Sequence, residues 1–308
     1  AFTVGEAVFV TPQQARELCG RDRRELDMVF SFEHMECDQH YLKWFKRKFR
    51  PKVFFDCLIR WQGELEWNAL YLENHDQPRS IPRFGSERSW KQSGKLLAAL
   101  LLTLRGTPFL YQGQEIGMTN FDFTRLRQVN DVESRNVDRI LRRFHVPQKL
   151  RWKIISRTSR DNARTPFQWE AGPGAGFTTA RPWLGINHNC ASINLAAQEE
   201  DPESIWNWYK DLSALRRERE VLRRGDFKVL EAGNQIFAYR RSLGEERLTI
   251  LLNFSDDPAR IGVKGEVLRS NYARKRFEGI LQPWEAVILE QPGGAGQSAA
   301  QAEGKDLK

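Results

Sequence analysis

The sequence predicts a two-part α/β chain, in which strand–loop–helix units forming a parallel sheet precede a smaller antiparallel β-domain. Three observations carry this. Short apolar runs at Met28 to Phe32, Ala69 to Leu72 and Pro108 to Tyr111 have the length and character of buried strands. Segments of helical period, Val53 to Trp61 and Trp90 to Leu104, fall between them. After Gly225 the texture changes to short alternating or apolar runs at Phe227 to Leu230, Gln235 to Arg240, Leu248 to Phe254 and Ala286 to Leu289, separated by Gly, Asp and Pro.

The individual elements follow from local chemistry. Thr11-Pro12 supplies an N-cap and an N1 proline ahead of a helix over Gln13 to Leu18. The Trp90 to Leu104 helix is apolar enough to be buried, and Gly106 ends it. Residues 123–204 carry scattered Arg, Asn, Pro and Gly with little sustained period, and a connection of that length is usually functional. Ser204 to Val221 reads as one amphipathic helix, with Ile205, Trp208, Leu212, Leu215 and Arg219 near helical spacing. The expected division is therefore 1–222, 223–290 and a disordered tail over 291–308, where Gly, Ala, Gln and Lys leave nothing to bury.

Composition excludes several classes. The 308 residues allow about two domains at roughly 150 residues each. Hydrophobic residues at 40% and charged residues at 29% match an ordinary globular chain rather than a disordered one. The longest strongly apolar run, Leu96 to Leu102, is far short of the roughly 20 residues that cross a bilayer. No membrane partner and no export signal are expected, and a cytoplasmic location follows. The net charge of +8 raises the question of nucleic acid, but the basic clusters at Lys43 to Arg50, Arg139 to Arg143 and Arg216 to Arg224 are interleaved with apolar residues and read as solvated helix faces. Cys19, Cys37, Cys57 and Cys190 form neither a CxxC pair nor a metal set with the five histidines, so no metal, no cofactor and no disulfide is expected, only buried free thiols.

Two polar constellations stand directly after strands. Thr3-Val4-Gly5-Glu6 places a carboxylate at a presumptive strand end. Glu73-Asn74-His75-Asp76-Gln77-Pro78-Arg79 follows the Ala69 to Leu72 run. Taken alone the first is a weak signal, whereas seven polar or special residues after an apolar strand have little structural reason to coexist. Carboxylates at two strand ends are how a parallel barrel assembles an acid pair, because its strand C-termini converge on one face.

These two motifs, with Arg83-Phe84-Gly85, the segment from Thr107-Pro108-Phe109 through Tyr111-Gln112-Gly113-Gln114-Glu115 to Gly117-Met118, and Ser159-Arg160-Asp161-Asn162-Ala163-Arg164-Thr165-Pro166-Phe167-Gln168-Trp169, resemble the α-amylase superfamily of glycoside hydrolases. Within it they are most similar to the oligo-1,6-glucosidase, dextran glucosidase and α-glucosidase branch. The resemblance runs from Thr3 to about Leu289. It implies the C-terminal half of a (β/α)8 TIM barrel, comprising strands five to eight and a long loop over 123–204, followed by an all-β antiparallel domain. It also implies a retaining α-glucosidase acting on terminal α-linked glucose of short oligosaccharides. Glu6 becomes the general acid/base and Asp76 the carboxylate that stabilises the transition state. His75 donates a hydrogen bond to the sugar, and either Arg160 or Arg164 holds the non-reducing glucose.

The family's nucleophile, an aspartate in a Gly-Phe-Arg-x-Asp segment before the acid/base, has no counterpart in these residues. The expectation is a truncated or split enzyme, inactive alone, with the missing N-terminal half as a separate chain in the split case. Gln114 and Phe167 stand where the family usually has Glu and often Met, which bears on subsite shape. Arg125-Leu126-Arg127-Gln128 is only a faint echo of the loop of isomaltulose synthases, so hydrolysis is expected ahead of sucrose isomerisation or trehalose-type transglycosylation. A non-catalytic scaffold similar to the transporter heavy chains is the other class, against which the retained Glu6, His75 and Asp76 argue. Trp169, Trp183, Trp206 and Trp208 are expected to be core and helix-packing residues rather than sugar platforms.

Overall fold

A computed structural model describes residues 2–20 and 25–291; the expected tail beyond Gln291 lies outside them. In the first part, strand β1 (Val4–Ala7) leads through helix α1 (Pro12–Cys19) to β2 (Met28–Ser31). The Thr11 hydroxyl accepts from the Gln14 amide while the Gln14 side chain accepts from the Thr11 amide, a reciprocal cap on the predicted helix. After β2 come the short helix α2 (Glu33–Glu36) and a hairpin of β3 (Gln39–His40) and β4 (Leu42–Lys46). Helix α3 (Pro51–Glu64), β5 (Ala69–Leu70), the turn α4 (Ile81–Phe84), α5 (Trp90–Thr103) and β6 (Thr107–Pro108) complete the strand–helix rhythm.

The strands are parallel, as predicted, but they do not form one continuous ladder. β1 pairs with β2 and β5 with β6. Side chains join the two pairs: the Tyr71 hydroxyl donates to the Ser31 carbonyl at 2.7 Å, and the Phe30 and Tyr71 rings meet edge-on at 5.2 Å. The strand predicted at 69–72 shrinks to Ala69–Leu70, and that predicted at 108–111 is met only at Pro108, in a two-residue strand Thr107–Pro108, because the chain beyond them turns out into polar loops.

Residues 123–204 are more ordered than their weak period suggests. They contain helices α6 (Val132–Arg143) and α7 (Gln148–Thr158), and then α8 (Leu195–Glu200). Asp131 caps α6 by accepting from the Glu133 and Ser134 amides. The apolar stripe is thin because α6 buries only Ser134 and Asp138, so polar contacts replace the periodic core.

The helix expected over 204–221 is two helices, α9 (Ile205–Glu218) and α10 (Glu220–Arg224), broken at Arg219. Arg219 takes an extended backbone, and its guanidinium is held by Glu246 and Glu290. Strands β7 (Asp226–Ala232), β8 (Ile236–Leu243), β9 (Glu246–Asn253), β10 (Ala259–Arg260), β11 (Gly265–Ser270), β12 (Arg276–Phe277), β13 (Ile280–Leu281) and β14 (Ala286–Gln291) follow. Six of them form an antiparallel sheet in the order β12-β11-β14-β9-β8-β7. The sequence reading missed β10 to β13, which are short or polar.

One face of this sheet packs on the first part of the chain. Phe55 of α3 stacks on Phe237 of β8 at 4.8 Å, and Leu248, Ile250 and Leu252 join a core that contains α5 and α9. Two buried arginines staple the same seam. Arg216 donates to the carbonyls of Leu102, Leu104, Gly106 and Leu222, and Arg241 to those of Thr103, Leu222 and Gly225. They satisfy the carbonyls at the C-terminal end of α5, where a positive charge also meets the helix dipole. Burial holds both guanidinium pKa values down, to about 10. Arg216 is therefore not part of a solvated face, contrary to the sequence reading, and neither is Lys46, whose side chain is buried against Asp38. Of the cysteines only Cys57 is fully buried, and all four are free thiols.

Candidate active site

The loop after β5 is built around its own first and last motif residues. Glu73 is buried and accepts from Arg79 at 3.0 Å, from the Ser80 amide at 2.8 Å and from the Ser80 hydroxyl at 2.7 Å. Arg79, with no exposure, also donates to the carbonyls of Gln112 and Asn162. One ion pair thus ties the loop after β5 to the loop after β6 and to the segment holding Arg160 and Arg164. Charges buried this completely persist only with such full pairing. In between, the Asn74 side chain accepts from the Asp76 amide at 2.8 Å, a local turn that lifts His75 and Asp76 out of the loop.

Asp76 is the meeting point of the predicted residues. Arg164 donates to its Oδ1 at 2.6 Å and to the His75 carbonyl at 2.9 Å. Arg160 Nη1 lies 3.6 Å from the same oxygen, and the His75 ring Nε2 lies 3.7 Å from it. Arg160 is chiefly engaged elsewhere, donating to Asp131 at 2.7 and 3.0 Å. Burial would raise the Asp131 carboxyl, but hydrogen bonds from Arg160 and Ser134 and the arginine charge hold it below the usual range.

The arrangement extends to residues that the sequence reading did not single out. Glu133, at the first turn of α6, pairs with Lys43 and accepts from the Trp44 indole at 3.2 Å. The β3–β4 hairpin is thereby tied to α6, with Arg160 Nε 3.7 Å from Glu133. Asp131-x-Glu133 ahead of a helix was the available signal, overlooked because the surrounding segment has no strong period. Below, Asp38 binds both Arg83 and Lys46, and Arg83 also donates to Gln77 of the motif at 2.8 Å. Burial, with the Arg83 charge, lowers the Lys46 ammonium to about 8.

Glu6 lies on β1, in register with Phe30 of β2, with an exposed side chain. Among the described residues its carboxylate has no hydrogen-bond or ion-pair partner. The Tyr71 phenol, which stands just past β5, is raised by burial first and also by the Glu6 charge. The buried His34 ring bonds the Tyr71 carbonyl at 2.9 Å, and burial depresses its pKa to about 4.

Beside Arg164 an open cavity of about 600 Å³ is lined by Tyr111, Glu115, Phe167, Trp169, Trp183 and Trp206, among others. Trp169 and Trp183 are exposed, which corrects their expected core role, whereas Trp208 is buried as expected. The Glu115 carboxyl is raised, by burial first. Gln114 points away from this space, donating to the buried Tyr209 hydroxyl at 3.0 Å, while Phe167 packs on Ile116 and Met118. Among the described residues no cluster of His, Cys, Asp and Glu could hold a metal ion.

Residues 1–225 match the family model described as alpha amylase, catalytic domain. The chain belongs to the α-amylase family. It is 41% identical to an oligo-1,6-glucosidase of Parageobacillus thermoglucosidasius, over 94% of this chain and 55% of the relative. It is 37% identical to a glucan 1,6-alpha-glucosidase of Streptococcus pneumoniae, over 94% of this chain and 56% of the relative. Among solved structures, the trehalose-6-phosphate hydrolase of Bacillus licheniformis superposes with a TM-score of 0.89 at 34% identity, covering 94% of this chain and 56% of the other. The trehalulose synthase MutB of Pseudomonas mesoacidophila does so with 0.89 at 32%, covering 94% and 55%. The fold is thus the C-terminal half of a (β/α)8 barrel with its β-domain, as the motifs implied, and the chain spans about half the length of the relatives it matches.

Proposed function

We propose that this chain is the acid/base-bearing half of a retaining α-glucosidase that releases terminal α-linked glucose from short oligosaccharides. The observation that carries the reading is Asp76 held by Arg164 at 2.6 Å beside His75, in the loop after β5, with Glu6 exposed on β1. A fixed carboxylate there opposes the positive charge that develops on the sugar ring, while an exposed glutamic acid can reach a leaving oxygen.

In the reaction, a carboxylate from the complementary half attacks the anomeric carbon as Glu6 transfers its proton to the glycosidic oxygen, so the leaving sugar departs neutral. Glu6, then ionised, takes a proton from the water that hydrolyses the covalent intermediate. Arg164 rather than Arg160 is the sugar-side arginine, since Arg160 is committed to Asp131. His75, the more exposed neighbour, donates to a sugar hydroxyl. The exposed 3-10 turn Leu126–Gln128 carries no acidic residue, which supports hydrolysis over isomerisation. Four free thiols fit a reducing compartment such as the cytoplasm.

The test uses this chain complemented with the part of the Parageobacillus enzyme that it does not cover. Glu6→Gln should cripple hydrolysis of isomaltose, a poor leaving group, and largely spare the first step with an activated aryl glucoside. Asp76→Asn should lower both alike, because its role does not depend on the leaving group. Equal fractional losses for Glu6→Gln on the two substrates would remove it as acid/base.

A further inference from the structure

Helix α6 serves the site at its N-terminal end only, where Asp131 and Glu133 hold Arg160 and Lys43. Its other end and α7 carry most of the chain's charge. The stretch from Arg125 to Arg157 has ten Lys and Arg against three acids, so it holds +7 of the net charge of +8. The three acids are all engaged, the third being Asp138, which pairs with Arg142 and Arg151. Arg139, Arg143, Lys149, Lys153 and Arg157 are exposed and, among the described residues, meet no carboxylate. Helix stability does not explain them. Arg139 and Arg143, Lys149 and Lys153, and Lys153 and Arg157 stand four residues apart, where like charges repel, and Lys149 lies in the first turn of α7, against the helix dipole. Nor are the interleaved apolar residues a buried stripe: Phe144 is 75% exposed, Ile140 53% and Leu150 48%, while Trp152 and Ile155 turn inward to Phe121, Phe123 and Val129. At the end of α6 the His145 amide donates to the Arg142 carbonyl at 2.9 Å and the Val146 amide to the Leu141 carbonyl at 3.0 Å, with His145 at a φ of 55°. This tight left-handed reversal leaves Phe144 at the apex of a helical hairpin.

We propose that the tip of this α6–α7 hairpin docks on an anionic lipid surface, with Ile140, Phe144 and Leu150 entering the headgroup region and Arg139, Arg143, Lys149 and Lys153 meeting the lipid charges. The proposal goes beyond the glucosidase reading and replaces the solvated face expected for Arg139 to Arg143. The contact is interfacial, since no described helix is long and apolar enough to cross a membrane. Cations alone would suit any polyanion. The exposed aromatic and aliphatic side chains decide for lipid: a phosphate backbone offers them no apolar surroundings, whereas the acyl boundary does, and the long Arg and Lys stems can lie along it with their charges at the headgroups. The protruding shape agrees, because an acidic peptide would be held in a groove and a flat bilayer takes a tip. Clustered basic residues on an amphipathic helix are also the pattern that anionic headgroups attract. The twelve residues of α6 put the tip about 18 Å from Asp131 and Glu133, so docking there leaves the sugar site clear.

The experiment sediments the full chain with vesicles of phosphatidylcholine alone and of phosphatidylcholine with about 30% phosphatidylglycerol. The expected results are at least about tenfold tighter binding to the anionic vesicles, release as salt rises from about 0.1 to about 0.5 M, and slower amide exchange at residues 139–153 on the vesicles. Arg143→Gln, Lys149→Gln and Lys153→Gln combined should weaken binding at least about tenfold. Phe144→Ser should weaken it at least about threefold with no change of net charge. All four positions are exposed, so both variants should melt with the parent, as followed by far-UV circular dichroism. Equal binding to the two kinds of vesicle overturns the proposal, as does binding indifferent to the triple variant or to Phe144→Ser. A duplex oligonucleotide held more tightly than the anionic vesicles, and as tightly by Phe144→Ser as by the parent, assigns the patch to nucleic acid and overturns it too.

Discussion

The half barrel and the β-domain are held together in different ways. In the β-domain, β8 and β9 pair along their whole length from Ile236↔Asn253 to Leu243↔Glu246, and residues of β9 alternate between two cores, with Leu248, Ile250 and Leu252 on one side and Leu251 on the other. In the half barrel, β5 and β6 share two residue pairs, and the segments around them are fixed by ion pairs, buried for Glu73 with Arg79 and Asp38 with Arg83 and Lys46, half-buried for Asp131 with Arg160. Long ladders with apolar faces are self-sufficient. Short strands that present functional loops depend on charge pairs, which hold geometry sharply but fail abruptly when one partner goes.

The largest effect expected from this contrast is chemical. On the proposed reading, which takes the attacking carboxylate from a complementary segment, these 308 residues alone should turn over p-nitrophenyl α-glucoside at the background rate, several orders of magnitude below a complemented enzyme. Turnover at an intact enzyme's rate would break the proposal.

Next comes the test of charge against packing. Glu73→Ala leaves Arg79 buried and unpaired and should cost about 3–5 kcal/mol, seen in urea denaturation. Phe237→Ala should cost a similar amount, about 3–5 kcal/mol, through the cavity left beside Phe55. The sharper comparison is where the losses appear. Amide exchange should accelerate in the loops after β5 and β6 for the first and in β8, β9 and α3 for the second; the same pattern for both would erase the distinction.

A smaller effect depends on pH. His34 titrates near 4 when folded and near 6.5 when unfolded, so the unfolded state binds the proton first as pH falls. Its contribution is nil above the unfolded value, then stability drops progressively from about pH 6.5 to about 4 and levels off, a loss of about 3 kcal/mol in all. His34→Gln should flatten that part of the stability profile, measured as urea midpoints between pH 7.5 and 4. The smallest change is Thr11→Ala, which removes one exposed helix cap and should cost about 1 kcal/mol, without reaching the β-domain.

Much was legible along the chain because it is local. The helices at 12–19, 51–64 and 90–103 follow from caps and apolar period, and β2 and the long strands β7 to β9 and β14 from apolar runs. The ENHDQPR motif announced a site, and the structure brings His75, Asp76, Arg160 and Arg164 together around it. What only the tertiary structure decided is which charges face which partners. Arg164 binds Asp76 while Arg160 turns to Asp131, although the two arginines stand four residues apart in one motif. Arg216 and Arg241 sit buried because the carbonyls of a distant helix end await them, and Trp169 and Trp183 stand exposed because no element among the described residues covers them. Side-chain type records what a residue can bond, whereas burial and partnership depend on chain segments a hundred residues away, and no local pattern carries that information.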